Sequence, residues 1–526
     1  MLHKSHKSRF ETYRDDTVIE KSTQYAKWTV ASLMADVEQI RDSNTQLVLE
    51  RDFQEMGALL VNNLAAKLAS LLFPSSRPFF KTTLSDDLIS RAEAQGHQRN
   101  EISSALARME MDACQQLFKN ASYNQLVIAV KHLIVTGNVL LYRDSASKKT
   151  TAYGIQSFAV RRDGRGKLVD CILREYTYFA GLPPEMKQQL RIVNPGKYKK
   201  TEDEEHSLIV ELYTRISRKM QKSGESGFEV SQEADIVPVG KPGYYPENQC
   251  PWQVPTWNLI SGEHYGRGIV EDYAGGFAKL SDLSHALTLY EIESTKVVNL
   301  VASGSGTDVD ALAAAETGEW VAGTPDTVRS HETGSTGKVQ AIMADIEAVF
   351  GRLAKAFMYT GNVRNAERVT AYELRQDALE AENTLGGTYS SLAEGMQVPM
   401  AHVLMLEVNP GILQGIVTKD VVLDVMAGIP ALGRSVDVQN LLSAAQEIQA
   451  IAPILVQLDK RIDPDKLHDL IYSGRSVDTS MLFKSQEQME AQAEAEAEVA
   501  QGQQQVEQAA SIAQQQENLS KLQVQQ

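Results

Sequence analysis

The chain has 526 residues, enough for about three or four average domains or for fewer elongated ones. Apolar residues make up 43% of it and charged residues 23%, values that exclude a disordered or fibrous chain over most of the length. The formal net charge of −16 is poorly suited to gripping phosphates, which requires Lys and Arg, although an acidic wall lets a polyanion slide past.

The first clear elements are two amphipathic helices. Residues 45–73 form a predicted helix that Pro74 stops, and residues 122–135 form another. After the second helix, a turn at Gly137-Asn138 leads into "VLLYR", whose branched and aromatic residues favour a strand. The apolar residues, three or four positions apart, are Phe53, Met56, Leu60, Leu64, Leu68 and Leu71, then Tyr123, Leu126, Val130 and Leu133.

From about residue 151 to residue 258 the sequence predicts a β-rich module. Runs such as "SFAVRRDGRGKLVDCILREY" and "HSLIVELYTRIS" place β-branched residues between turn signals. The segment "RDGRG" is typical of a hairpin turn, because glycine adopts a positive φ without strain. A short helix is predicted near "LPPEMKQQL", whereas "GKPGYYPENQCPWQVPTW" has too much Pro and Gly for a helix or a central strand.

Two helices follow, with a loop between them. Residues 267–299 carry an apolar stripe and would span roughly 45 Å, which is long for a globular domain. Residues 302–340 are rich in Gly, Thr and Ser and predict a loop, and residues 341–359 are again helical. The stripe residues are Ile269, Tyr273, Phe277, Leu280, Leu283 and Leu287 in the first helix and Ile342, Ile346, Val349, Leu353 and Phe357 in the second.

A further predicted helix, from residue 369, contains two adjacent glycines. It begins with a capping box formed by Thr370 and Glu373. The apolar spacing continues in phase past Gly386 and Gly387, which predicts an unbroken helix and argues against a phosphate-binding turn. Since glycine costs a helix interior roughly 1 kcal/mol relative to alanine, the pair is predicted to permit a bend or the close approach of a neighbouring element. The stripe residues are Leu374, Ala378, Ala381, Leu385, Tyr389, Leu392 and Met396.

The C-terminal part is less specific. Beyond Pro399 the chain is predicted to stay mostly helical. Residues 485–526 are dominated by Gln, Ala and Glu and have no aromatic residue. That composition fits either an exposed helix or a disordered tail.

The sequence contains no recognisable catalytic, cofactor or metal motif. The segment "ASGSGTDVDAL" lacks the preceding strand of a dinucleotide-binding unit, and in "ETGSTGKVQ" Val339 follows Lys338 where a P-loop needs Ser or Thr. The histidines have no metal-binding spacing, which favours packing or surface roles for His132, His264, His285 and His402. We therefore expect no enzymatic activity, no cofactor and no metal.

The cysteines and the N-terminus indicate a protein of a reducing compartment. Cys114, Cys171 and Cys250 are far apart and form no CxxC pair, which favours buried, reduced thiols. The N-terminus lacks the apolar segment of a signal peptide, and no run of about 20 apolar residues predicts a membrane span. Long helices, a β module and no visible chemistry together indicate a structural or assembly protein.

Five segments, in this order, resemble the portal proteins of short-tailed podoviruses, also called head-to-tail connectors, and above all those of the autographivirus kind. The order and the approximate spacing match along residues 45–400. The segments are "NNLAAKLASLLFP", "LIVTGNVLLY", "HYGRGIVEDY", "ERVTAYELR" and "NTLGGTYSSL".

The resemblance implies a mainly α protein with a β-rich module (α+β), built as the phage portal fold with wing, stem, clip, tunnel loop and crown. Identical subunits, about twelve of them, would form a ring around a channel. The implied parts are an N-terminal wing (1–180), clip and stem (181–299), a wing return (300–340), tunnel helix and tunnel loop (341–368), crown (369–484) and the C-terminal tail (485–526).

The implied function is that of a DNA conduit at one capsid vertex. Double-stranded DNA would be packaged, retained and ejected through it, and terminase and tail would dock on it. The implied partners are the major capsid protein, a scaffolding protein, terminase, a tail adaptor and internal core proteins, without membrane insertion. The implied locations are the virion and, during assembly, the host cytoplasm. The alternatives are a helical assembly scaffold that binds no DNA and a packaging enzyme such as a terminase.

The resemblance also points to residues that would face DNA. Arg364 and Arg368 carry guanidinium groups suited to phosphate oxygens, and a ring would repeat each of them as a collar of charge. Arg368 has the alternative of pairing with a carboxylate such as Glu373, or with a neighbouring subunit. The implied tunnel-loop residues are Thr360, Gly361, Asn362, Arg364, Asn365 and Arg368.

Overall fold

The computed structural model describes one compact unit within Met1–Ala431. Residues 426–526, which include the predicted tail, lie outside the described residues. The described residues are 5–35, 49–75, 78–94, 99–119, 121–199, 201–220, 226–294, 297–304, 306–322, 326, 328–332, 336–359, 384–385, 387–410 and 421–425.

The first half of the core is helical. The predicted helix 45–73 begins only at Met56, so Phe53 lies outside it, is exposed, and was wrongly assigned to the stripe. The stripe is confirmed from Leu60 to Leu71, with Leu60, Leu64 and Leu68 fully buried. The helix predicted at 122–135 is also confirmed. The helices are α1 (His6–Tyr13), α2 (Asp16–Trp28), α3 (Met56–Leu72), α4 (Asp86–Ala94), α5 (Arg99–Gln115) and α6 (Ser122–Thr136).

The predicted β-rich module is present and consists mainly of a five-stranded antiparallel sheet. Its order is β4-β5-β6-β7-β8, and the predicted "RDGRG" turn joins β4 to β5 with Gly166 at φ +80°. Strand β5 pairs with β6 from Asp170 to Tyr178. The sheet therefore includes residues on both sides of residue 180, where the resemblance implied that the N-terminal wing ends. The strands are β1 (Phe80–Leu84), β2 (Leu140–Asp144), β3 (Lys149–Tyr153), β4 (Phe158–Arg162), β5 (Leu168–Tyr178), β6 (Ile209–Met220), β7 (Ser226–Ala234), β8 (Val237–Pro246) and β9 (Trp252–Gln253).

Helices cover this sheet. Helix α1 packs on one face, where Phe10 is buried with Ile172 and Tyr213. The connection between β5 and β6 carries the short helix predicted near "LPPEMKQQL". Strand β8 lies at the edge, as its prolines require, because proline has no backbone N–H for a central ladder. The connecting helices are α7 (Pro184–Val193), α8 (Pro195–Tyr198) and α9 (Glu202–Ser207).

The predicted helix 267–299 is wrong at its C-terminal end, and the predicted loop 302–340 is wrong in part. The helix ends at Ser294, and Val297–Val301 is a strand that pairs with Val328–Glu332. Local periodicity missed this pairing because the second strand lies on the far side of the Gly-rich segment. The elements are α10 (Ile269–Asp272), α11 (Ala274–Ser294), β10 (Val297–Val301), α12 (Val309–Ala314), β11 (Val328–Glu332) and α13 (Thr336–Ala356).

Helices α11 and α13 pack against each other, and a glycine brings them close. The predicted stripe of α13 is buried at Val349 and Leu353. A Cβ on Gly276 of α11 would lie 3.1 Å from Leu353 Cδ2. Gly276, the second residue of the pair Gly275-Gly276, therefore lets the two helices approach closely, whereas nothing lies within 4 Å of a Cβ on Gly275.

The last described elements return to the core. Helix α14 (Thr388–Leu392) passes through a π-turn (Ala393–Gln397) into α15 (Val398–Val408). Strand β12 (Val421–Val425) then pairs antiparallel with β1. None of the described helices is long and apolar enough to cross a membrane.

Two chain segments cross backbone against backbone at three glycines. A Cβ on Gly137 would lie 2.4 Å from the carbonyl carbon of Arg267, one on Gly266 2.7 Å from Gly137 O, and one on Gly268 2.5 Å from Ile134 O. The buried Asn138 side chain fastens the crossing, because its Nδ2 donates to Gly266 O and its Oδ1 accepts from Gly266 N, both at 2.7 Å. This crossing fixes the end of α6 against the start of α10.

We predict that Gly266→Ala destabilises the chain. The added methyl group would meet backbone that has no room to move, and overpacking of this kind costs about 1–3 kcal/mol. Gly275→Ala is the matched control, because nothing lies within 4 Å of its Cβ position. The thermal unfolding midpoint should fall for Gly266→Ala and should not fall for Gly275→Ala. Equal midpoints for the two variants would show that the crossing is not tightly packed.

Candidate functional site

The predicted DNA-facing residues lie outside the described residues. Thr360, Gly361, Asn362, Arg364, Asn365 and Arg368 all belong to the segment 360–383. The structure describes the two points at which this segment leaves and rejoins the core. These two points fix the positions of the ends of the segment 360–383.

The chain leaves the core through a Schellman motif at the end of α13. Tyr359 N donates to Ala354 O at 2.8 Å and Met358 N donates to Lys355 O at 3.2 Å. Met358 takes the left-handed position, with φ +52°, which costs a non-glycine residue about 1–2 kcal/mol. Its side chain is buried, as is that of Phe357, so packing offsets the backbone strain. The exit point is therefore fixed by the core.

The chain rejoins the core at the double glycine. Gly387 has φ +86° and caps the N-terminus of α14, so the prediction of an unbroken helix through this position is wrong. Leu385 and Tyr389 are buried on either side of it, which is why the apolar spacing continued in phase. No atom lies within 4 Å of a Cβ on Gly387, so no close packing occurs there among the described residues. Gly386 lies outside them.

A second candidate site is the segment that joins α11 to α13. Its apolar side chains include Trp320, which is fully exposed, and Leu300, which is about half exposed. Between residues 302 and 328 the sequence has no Lys or Arg. The exposed carboxylates there belong to Asp308, Asp310, Glu316, Glu319 and Asp326. Sequence reasoning treated this stretch as a surface loop and missed the combination of an exposed indole with one sign of charge.

The buried ionisable groups have the chemistry of packing residues. Burial lowers the pKa of His132 to about 4, so this imidazole is neutral at pH 7. All three thiols are buried as predicted, and burial raises the pKa of Cys114 and of Cys250 to about 12. His285 stacks on Phe53 with ring centroids 4.0 Å apart. Among the described residues, no group of three or more His, Cys, Asp or Glu side chains is arranged to hold a metal ion.

Comparison with known proteins gives consistent results. Residues 20–482 match the family model described as bacteriophage head to tail connecting protein. The portal protein of Pseudomonas phage phiKMV is 47% identical over 92% of each chain. The portal protein of Enterobacteria phage SP6 is 32% identical over 81% of this chain and 79% of its own.

Among solved structures, a chain from the virion of a native gene transfer agent particle covers 74% of this chain and 86% of its own length at 10% identity. Its TM-score of 0.32 does not establish a common fold. The family model and the sequence relatives cover most of the chain, and they settle the family. The chain belongs to the bacteriophage head-to-tail connecting proteins, the family of the phage portal proteins.

Proposed function

We propose that copies of this chain close into a ring, about twelve of them, whose axial channel passes double-stranded DNA during packaging, retention and ejection. The observation that carries the proposal is the 47% identity to a phage portal protein over 92% of both chains. The ring stands at one capsid vertex, and subunits assemble in the host cytoplasm. The chain itself hydrolyses no ATP, and a separate terminase supplies the energy.

The exposed apolar surface of the paired helices α11 and α13 is an argument for the proposed ring. Their outward surfaces keep apolar side chains exposed, with Leu289 55%, Ile292 58% and Met343 48% accessible in the single chain. A heterologous contact between neighbours would bury such side chains and, repeated by rotation, would close. The major capsid protein, a scaffolding protein and internal core proteins are the further partners that this assembly requires.

The docking platform for terminase and for the tail adaptor is, in this proposal, the segment Val297–Glu332. The predicted clip and stem cover 181–299, a range that includes strands β6, β7 and β8 of the five-stranded sheet as well as the helix α11. Val297–Glu332 is held at the end of a helix pair and presents Trp320 among carboxylates. A partner with basic residues around an apolar pocket complements that surface. The other predicted part limits remain proposals.

DNA contact is proposed for the tunnel-loop residues Arg364 and Arg368. Support comes from their position in the segment that follows α13 and from the suitability of guanidinium groups for phosphate oxygens. The net charge of −16 supports an otherwise acidic channel wall, along which DNA moves without sticking.

We predict that Arg364→Glu and Arg368→Glu leave ring assembly intact and reduce the yield of DNA-filled particles by at least roughly tenfold, since each removes a charge-assisted contact of about 1.5–3 kcal/mol and adds repulsion. Arg165→Glu, a charge reversal on an exposed hairpin turn, is the matched control. Ring formation is checked by electron microscopy and packaging by quantifying protected DNA. Normal packaging in both variants would refute the assignment, and failure to form rings would show that the arginines are structural.

We predict that Trp320→Ala weakens binding of the isolated ring to its terminase or tail adaptor by roughly 30-fold, because truncating a central aromatic anchor costs about 2 kcal/mol or more. Ile192→Ala is the control, since Ile192 is 72% exposed but lies on α7. Binding is measured by titration of the purified partners. Unchanged binding of both partners to the Trp320 variant would place the docking platform elsewhere.

A further inference from the structure

The C-terminus of α3 is capped by side chains from a distant part of the chain. An α-helix leaves its last carbonyl groups without intrahelical partners. Tyr389 donates its hydroxyl to Leu71 O at 3.3 Å, and Gln397 donates its Nε2 to Leu72 O. Both donors are buried, with 2% and 1% of their surfaces exposed. Two adjacent orphan carbonyls of the core helix are therefore satisfied by the helix that follows the segment 360–383.

The π-turn Ala393–Gln397 is what brings both donors to one face. In an α-helix each residue turns about 100°, so the eight positions from Tyr389 to Gln397 (397 − 389 = 8) would leave the two side chains about 80° apart. A π-turn bonds i to i+5 and holds one residue more, which removes about 100° and leaves the side chains about 20° apart. The π-turn thus brings the two donors onto nearly the same face of the helix, the face from which both bond the end of α3.

The other end of the same segment lies against the same helix. Asn63 Nδ2, in the middle of α3, makes a long hydrogen bond of 3.5 Å to Met358 O. Asn63 and Leu71 are eight positions apart, which is about 12 Å along a helix axis. The point where the chain leaves the core and the point where it returns are thus both set by α3.

We propose that Tyr389 and Gln397 are positioning residues that hold the return point of the DNA-contacting segment on the end of α3, with the π-turn as the element that lets both act together. The proposal rests on the proposed function, because it takes the segment 360–383 to be the one that contacts DNA. A displaced return point would misplace the arginines without removing them.

The test compares phage particles carrying Tyr389→Phe, Gln397→Met or Tyr153→Phe. Methionine is close to glutamine in length and has no hydrogen-bond donor, and Phe removes only the hydroxyl. Tyr153→Phe is the matched control, since it removes a hydrogen bond of 2.5 Å to Glu175 Oε1 far from the return point in the sequence. The readouts are the thermal midpoint of the purified ring and the rate at which filled particles release DNA.

We expect the Tyr389 and Gln397 variants to form rings and to release DNA faster, by up to roughly tenfold, the ratio reached when the whole free energy of the lost hydrogen bond, about 1.4 kcal/mol, lowers the barrier to release. The control variant Tyr153→Phe should lower the thermal midpoint of the ring by a similar amount and leave the rate of DNA release unchanged. Equal release in all three variants overturns the proposal, as does a release rate that simply follows the thermal midpoint. If particles carrying Arg364→Glu or Arg368→Glu also release DNA at the normal rate, the proposed function fails as well. If only the particles with the arginine substitutions release DNA faster, this inference alone fails.

Discussion

The crossing of Gly137 with Gly266 and Gly268 is the contact on which the rest of the structure depends. It lets the strand segment after α6 and the segment before α10 pass with their backbones touching, and Asn138 locks the two together across 128 positions of sequence. Helix α10 begins directly after this crossing, and α11 follows it in the chain, so the crossing fixes where this part of the chain starts. Any side chain larger than hydrogen at these glycines would push the two backbone segments apart and change the position of α10 relative to α6.

Helix α3 is a second part of the structure on which other elements depend. Its residues Leu60, Leu64 and Leu68 are fully buried, and it contacts both ends of the segment proposed to contact DNA. The paired helices α11 and α13 are joined through the strands β10 and β11, which belong to the segment proposed as the docking platform. Helix α3 and this segment are parts of the same compact unit.

The elements that the sequence predicted correctly are those determined by residues close to one another in the chain. The stripe of α3 and the "RDGRG" turn follow from periodicity and from glycine chemistry, and both are present. The pairing of β10 with β11 was missed because strand partners are chosen by non-local contact. The sequence predicted an unbroken helix through Gly386 and Gly387, but Gly387 caps the start of a helix. It predicted a turn at Gly137, but not the close backbone contact of Gly137 with Gly266 and Gly268, because that contact joins residues far apart in the chain. The site residues of the segment 360–383 remain predictions.

The central claim is that this chain closes into a ring around a DNA channel. Electron microscopy of the purified full-length chain, with symmetry determined from end-on views, tests it most directly. The account predicts closed rings with an axial hole wide enough for double-stranded DNA and about twelve subunits. Monomers or open filaments at every concentration would contradict it.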